Sequence, residues 1–443
     1  MTLFKTTFWS TAAMGVRLST ALVLNKVLAV LIGPTGFALI GQFQNSTGFL
    51  FSLAGGSINN GVVKLTAEYG DDEERLRILW STALRMVVAA SLAIGVGLAA
   101  FSGFLSRTLL SSPGYGGVFL VMAASLLIYS VNSTLLAILN GRKELKLSVI
   151  SNISGSVIIL FSMTLLTKLF GVYGAMVALA INQALVFIPT FALSARRSWF
   201  RLDLFTGPFS MPLARKLLGF AVMTLASAVS INGGAVAVRY ILINMIDARH
   251  AGFWDAMTRL SSVNGAIVAA GLGFYYLPRM ATLRFWPEIW SEIRHGMMLL
   301  MPLFVLCATI MYVLRFFVIR ILFTDSFLPM EQLFIWQFAG DVVRLGVLFF
   351  AYVLIGREMV LPYALGELLS NMLFVLLSWL CLRTIGFQGV AVAHFVTSVA
   401  MLVGMYFTVR HLLPSPDVIE GDDTVQPKPI TPRPPVTGIS SAR

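Results

Sequence analysis

GPTGFALIGQFQNSTGFLFSLAGGSINNGVVKLTAEY, residues 33–69, decides the fold. The stretch is apolar for longer than the about 20 residues that cross a bilayer, yet its later part sets Ser57, Asn59 and Asn60 among closely spaced glycines. In hydrocarbon a polar side chain needs a partner or water, so the pattern predicts a membrane helix that lines an interior.

The signal returns further along. Gly36-Phe37 has a counterpart in Gly252-Phe253, 216 residues on, and both pairs open a long run with a small-residue centre that closes on a threonine, Thr66 or Thr282. Gly141-Arg142 and Gly356-Arg357 are 215 residues apart, and so are the Gly-x-x-Gly pairs Gly171/Gly174 and Gly386/Gly389. Shared spacing predicts two copies of a unit of roughly 200 residues.

Composition sets the class. Charged residues make up 12% of the chain, against about 25% in soluble domains, and hydrophobic residues make up 57%. An all-α integral membrane protein is expected. Cys307 and Cys381 fall in apolar runs and read as small buried hydrophobes rather than a disulfide. The first apolar run, Phe8 to Ile32, contains Arg17 and Lys26 and lacks an Ala-x-Ala site, so it reads as a retained helix and not a cleaved signal. The net charge of +12 is dispersed and forms no single patch, which argues against nucleic acid.

Apolar runs begin near residues 8, 37, 78, 117, 146, 172, 216, 252, 295, 331, 360 and 387, giving twelve expected transmembrane helices in two six-helix lobes related by an axis along the membrane normal. With the N-terminus in the cytoplasm, 20 basic residues lie inside and six outside (Arg107, Lys168, Arg249, Arg315, Arg320 and Arg383), which predicts both ends cytoplasmic. The expected organisation is an N-lobe over 1–195, a cytoplasmic linker over 196–213, a C-lobe over 214–413 and a disordered Pro-rich tail over 414–443. Asp71-Asp72-Glu73-Glu74 reads as a solvated turn that caps the third helix.

Six basic residues remain inside spans: Arg17, Lys26, Arg85, Arg239, Arg259 and Arg344. A charge at the bilayer centre costs from about 2.5 to more than 10 kcal/mol, so each needs a reason to be there. Lys26 is close enough to the outer end of its span to snorkel. Asp255 and Arg259 are spaced i,i+4 and Asp341 and Arg344 i,i+3, so each couple can pair along a helix face. Asp341 should lie about 15 Å into its span, where a carboxylate with a movable partner is a candidate proton or cation site. Glu367 and His394 are shallower. No phosphate-cradling loop, metal-ligand spacing or nucleophile elbow appears, so neither ATP use nor a catalytic or metal site is expected.

Gly33-Pro34-x-Gly36, the run LAGGSINNGVVKLTAEY from Leu53 to Tyr69, Tyr276-Leu277-Pro278 and LFIWQFAGDVVRLG from Leu333 to Gly346 resemble the Wzx-type flippases of O-antigen and enterobacterial common antigen, within the MOP superfamily of exporters. The resemblance covers all twelve expected spans but not the tail. It implies two lobes working by alternating access, an undecaprenyl-diphosphate-linked glycan as substrate, a bacterial inner membrane as location, and a polysaccharide polymerase and chain-length regulator as partners. Arg17 looks like the first-helix arginine of related lipid flippases. Their second-helix arginine has no counterpart near Phe49 and Leu50.

Physical chemistry is consistent with that substrate. A diphosphate does not cross hydrocarbon unaided, and each guanidinium at contact contributes about 4 kcal/mol at an effective dielectric of 20. The resulting expectation is that Arg17, Lys26, Arg85, Arg239 and Arg259 hold diphosphate and that Asn45, Asn59 and Asn60 face glycan. Asp341 with Arg344, together with Asp255 and Glu367, would couple transport to protons or sodium, with no other cofactor. Two other readings are a drug/cation antiporter, which would want a more acidic cavity, and a glycan polymerase or ligase, which would want a larger outer loop.

Overall fold

The computed structural model describes residues 3–110, 112–283, 285–357 and 359–413, and the tail expected to be disordered lies outside them. All regular structure among these residues is helical. In order the helices are α1 (Leu3–Leu53), α2 (Asn59–Tyr69), α3 (Glu73–Ala100), α4 (Ser102–Leu110), α5 (Gly116–Gly141), α6 (Leu145–Ser194), α7 (Met211–Met245), α8 (Ala248–Thr282), α9 (Trp286–Val313), α10 (Arg315–Leu322), α11 (Phe334–Gly356), α12 (Val360–Ile385) and α13 (Gly389–Leu412). Seven stretches are long and apolar enough to cross a bilayer. Of these, Lys146–Ser194 and Leu361–Leu412, at 49 and 52 residues, far exceed one crossing. The protein is a multi-pass membrane protein.

Glycines divide the long stretches. Gly33 in α1 (φ 62, ψ −172) and Gly171 in α6 (φ 58, ψ −137) leave helical geometry, and Gly386 (φ 74, ψ −148) separates α12 from α13. Positive φ favours a residue without Cβ, and Pro34 follows Gly33 where a first-turn proline costs nothing. The second glycine of each repeated pair is there for space. A Cβ on Gly174 would lie 1.9 Å from the Leu166 carbonyl oxygen, and one on Gly389 would lie 2.4 Å from that of Cys381. The Gly-Arg pairs also share a turn: Glu144 N–H donates to Leu139 at 2.9 Å and Met359 N–H to Leu354 at 2.8 Å.

The single helix expected through residue 69 is interrupted. After Leu53 the chain unwinds at Gly55 (φ 124), where a Cβ would strike Val87 at 2.4 Å, and it passes a short tight turn before α2 resumes at Asn59. Freed backbone groups need replacements in a membrane interior. The Ala54 carbonyl finds the hydroxyls of Ser130 at 2.9 Å and Ser91 at 3.0 Å, themselves 2.7 Å apart, so α3 and α5 stabilise the break.

The largest buried cluster joins the two halves of the chain. Phe37 of α1 meets Phe323 and Phe327 edge-on at 5.8 and 5.4 Å, and Phe253 and Trp254 of α8 pack in the same cluster. A second cluster gathers α8, α9, α11 and α13 around Ile293, Phe349 and Met405. A third packs α2, α3 and α7 on the 196–213 linker. There Trp80 donates to Thr66 at 3.1 Å and stacks on Phe205 at 5.7 Å.

The linker is held to α3 by Ser81 bonding the Pro208 carbonyl at 3.2 Å and by Ser210 N–H bonding Thr82 at 3.1 Å. A hydrogen bond from Arg201 holds the Asp203 carboxyl below its usual range. Asp72 caps α3 as expected, accepting from Arg75 N–H at 3.1 Å. The cysteines differ from expectation. Cys307 is exposed and Cys381 only partly buried, and neither belongs to one of the three packed clusters.

Candidate functional site

The densest polar cluster lies where α1, α7 and α8 meet. Arg239 of α7 is 1% exposed and, among the described residues, is the one charged side chain that ranks with the largest fully buried ones. Its Nη1 donates to Gln42 at 3.0 Å, its Nη2 to Asp255, and the Asn45 amide oxygen accepts from both at 3.2 Å. Its Nε has no partner among the described residues, and the guanidinium lies 5.5 Å from the Trp254 ring. Removing an ion from water costs several kcal/mol and is offset only when the remaining donors are satisfied, which these four bonds nearly achieve.

Asp255, 4% exposed, also accepts from Arg259 Nε at 3.2 Å. Arg259 reaches across to Gln44 at 2.8 Å and sits over Phe37 at 5.0 Å. One carboxylate thus serves two guanidiniums, and three amides of Gln42-Phe43-Gln44-Asn45 accept from several of their other donors. Glycines permit the approach: a Cβ on Gly41 would lie 2.3 Å from the Asp255 carboxylate, and one on Gly252 would lie 1.8 Å from the Pro34 carbonyl. The i,i+4 pairing of Asp255 with Arg259 is present, but Arg239 is enclosed in this conformation and is not offered to a ligand.

Lys26 is partly buried and turns to α10, donating to the Arg320 carbonyl at 2.7 Å and to that of Phe323. The last carbonyls of a helix lack partners and carry partial negative charge, so a lysine there is favourable. It acts as a helix clamp and does not project into an interior.

The second cluster joins α8, α11 and α13. Asp341, with its side chain 10% exposed, accepts from Ser261 at 2.6 Å and lies 3.0 Å from His394 Nε2, with Gln337 at 3.5 Å. The expected Asp341–Arg344 pair does not form. Gly340 leaves room for the imidazole, since a Cβ there would lie 2.4 Å from His394, and Arg344 turns outward to Glu367 at 3.7 Å.

The remaining candidates are separated. Arg17 is exposed on α1 and has no ion-pair partner among the described residues. Arg85 donates to the Gly207 carbonyl at 3.0 Å, so it secures the linker. Asn59 donates to Ser133 and has a buried Oδ1 without a partner among the described residues, whereas Asn60 is exposed and reaches Thr224 of α7 at 3.4 Å. Sequence reasoning overlooked Gln42, Gln44, Ser261, Gln337 and Trp254. Three amides within the four residues 42–45 of an apolar run were the available signal.

The chain matches the model of the polysaccharide biosynthesis protein family over residues 3–283. It is 28% identical over 398 residues to a lipid III flippase of Escherichia coli (strain K12), across 90% of this chain and 95% of the relative. Its fold is similar to that of an inward-facing MATE multidrug resistance transporter of the MOP superfamily (TM-score 0.76, 13% identity, 90% of this chain and 98% of that one). It is also similar to the lipid II flippase MurJ in an inward closed conformation (TM-score 0.72, 12% identity, 92% of this chain and 87% of that one). With well over half of its length matched, the chain belongs to the polysaccharide biosynthesis protein family.

Proposed function

We propose that the protein is a flippase, not an enzyme, which moves an undecaprenyl-diphosphate-linked oligosaccharide of the O-antigen or enterobacterial common antigen type from the cytoplasmic to the periplasmic leaflet of a bacterial inner membrane. The observation that carries this is the likeness to a lipid III flippase along nearly the full length of both chains. In this reading the breaks at Gly33 and Gly171 make α1 and α6 two crossings each, with α2 completing the second. The result is twelve crossings in lobes 1–195 and 214–413 with both ends cytoplasmic. A polysaccharide polymerase and a chain-length regulator would be its partners.

Lys26, α10 and the Arg239–Asp255 cluster then lie towards the periplasm, where they close the lobes together, in keeping with the inward conformations of the two structural neighbours. Arg17 and Arg259 are the guanidiniums left for an incoming diphosphate, and Asn60 is an exposed amide near the helix break that would meet glycan. The membrane potential assists outward movement of anionic charge by about 2.3 kcal/mol per charge per 100 mV. The wild-type gene is expected to restore surface glycan to a flippase-null strain, whereas Arg17→Ala fails to do so at normal protein abundance. A wild-type gene that restores nothing would sink the reading, and an active Arg17→Ala would remove Arg17 from the site.

Energy coupling is assigned to Asp341 with His394 in place of Arg344. The carboxylate is surrounded by donors from three helices, so gaining or losing a proton would change how α8, α11 and α13 hold together. Transport into vesicles by Asp341→Asn is expected to be slow and indifferent to an imposed proton gradient, whereas wild-type transport falls severalfold when the gradient is collapsed. A wild type equally indifferent rules out this coupling.

A further inference from the structure

Resting on the flippase reading, we propose that the Gln44 amide is an internal stand-in for a phosphate oxygen at Arg259, and that a prenyl diphosphate displacing it loosens the periplasmic closure. Arg239 is 1% exposed and no ligand reaches it while α1, α7 and α8 are together. Arg259 belongs to the same network but keeps its side chain 22% exposed. It spends Nε on Asp255 at 3.2 Å and one Nη2 hydrogen on Gln44 at 2.8 Å, and no described residue accepts from its Nη1. It is therefore the member of the closure that an anion arriving from the cytoplasmic side meets.

The exchange has a direction. An amide oxygen is a neutral acceptor, and a phosphate oxygen is a charged one whose bonds to guanidinium are roughly twice as strong and can be bidentate. Once Arg259 turns to phosphate, Gln44 loses its hold on α8, and the polar links that α1 keeps in this cluster are those of Gln42 and Asn45 to Arg239 of α7. Loading on one side thus weakens the contact that must part on the other. An empty carrier keeps its amide in place and stays closed, which suppresses cycling without cargo.

The test uses the full chain in nanodiscs with Cys307→Ser and Cys381→Ser, leaving one reporter, Phe37→Cys, at a position fully buried against the second half of the chain. Undecaprenyl diphosphate is expected to raise maleimide labelling of this cysteine about tenfold, as loss of one charge-assisted hydrogen bond implies. Undecaprenol should leave labelling unchanged. Adding Gln44→Ala is expected to give the raised rate without ligand, and Gln44→Glu a lower rate that needs more ligand to rise. If Gln44→Ala does not fold, Gln44→Asn, whose amide is one methylene short, carries the same expectation.

Equal unliganded labelling of the Gln44 variant and its parent would overturn the proposal, as would an equal ligand response in both. Tryptophan fluorescence reports binding separately. A parent that binds the diphosphate with no change in labelling overturns this proposal alone, and a parent that binds none overturns the flippase reading with it.

Discussion

Asp255→Ala is expected to destabilise the protein by about 3–5 kcal/mol, the cost of leaving a buried charge without its partner. Arg239, at 1% exposure, would keep its two amide acceptors but lose the carboxylate it is paired with. Arg259 would lose the bond that orients it toward Gln44. The variant should show a much lower unfolding temperature in detergent and reduced abundance in membranes, with Asp255→Asn intermediate because it retains one acceptor oxygen. Removing both charges, as Arg239→Met with Asp255→Leu, is expected to recover most of the stability while transport stays lost. An Asp255→Ala protein as stable as wild type would mean that water already reaches Arg239.

Gly252→Ala is expected to have the opposite profile, near-normal abundance with loss of surface glycan. The added methyl would lie 1.8 Å from the Pro34 carbonyl oxygen. The clash is with backbone, so no side-chain rotation relieves it, and the cost falls at or above the top of the about 1–3 kcal/mol typical of overpacking. That cost applies only while α1 and α8 touch, so the conformation in which they are apart gains by the same amount. A cysteine at Phe37 should then label rapidly without ligand. Wild-type labelling would show that the two helices yield locally without parting.

Much of the architecture was legible because steric requirements leave marks in sequence. Gly171/Gly174 and Gly386/Gly389 each have one glycine at positive φ and one where a Cβ would strike backbone, and both demands favour glycine strongly. The break at Ala54 was not legible, because the hydroxyls that satisfy it come from Ser91 and Ser130 on helices distant in sequence. In-span charges were easy to single out, since each is costly in lipid, but their partners were not. Spacing along α11 favoured Arg344 for Asp341, whereas packing against α13 brought His394 through the gap at Gly340. Gln42 and Gln44 escaped notice for a related reason: an amide costs less than a charge in an apolar run, and so stands out less.

Lys26 holds α10 through main-chain oxygens. Peptide carbonyls do not titrate in any range a cell meets, so the acceptor side of this contact is set by the backbone and not by any side chain. A clasp made on main-chain oxygens fixes where α10 sits without fixing which side chains it carries, so Arg320, whose carbonyl is one of the two acceptors, can be exchanged for another helix-forming residue with the contact intact.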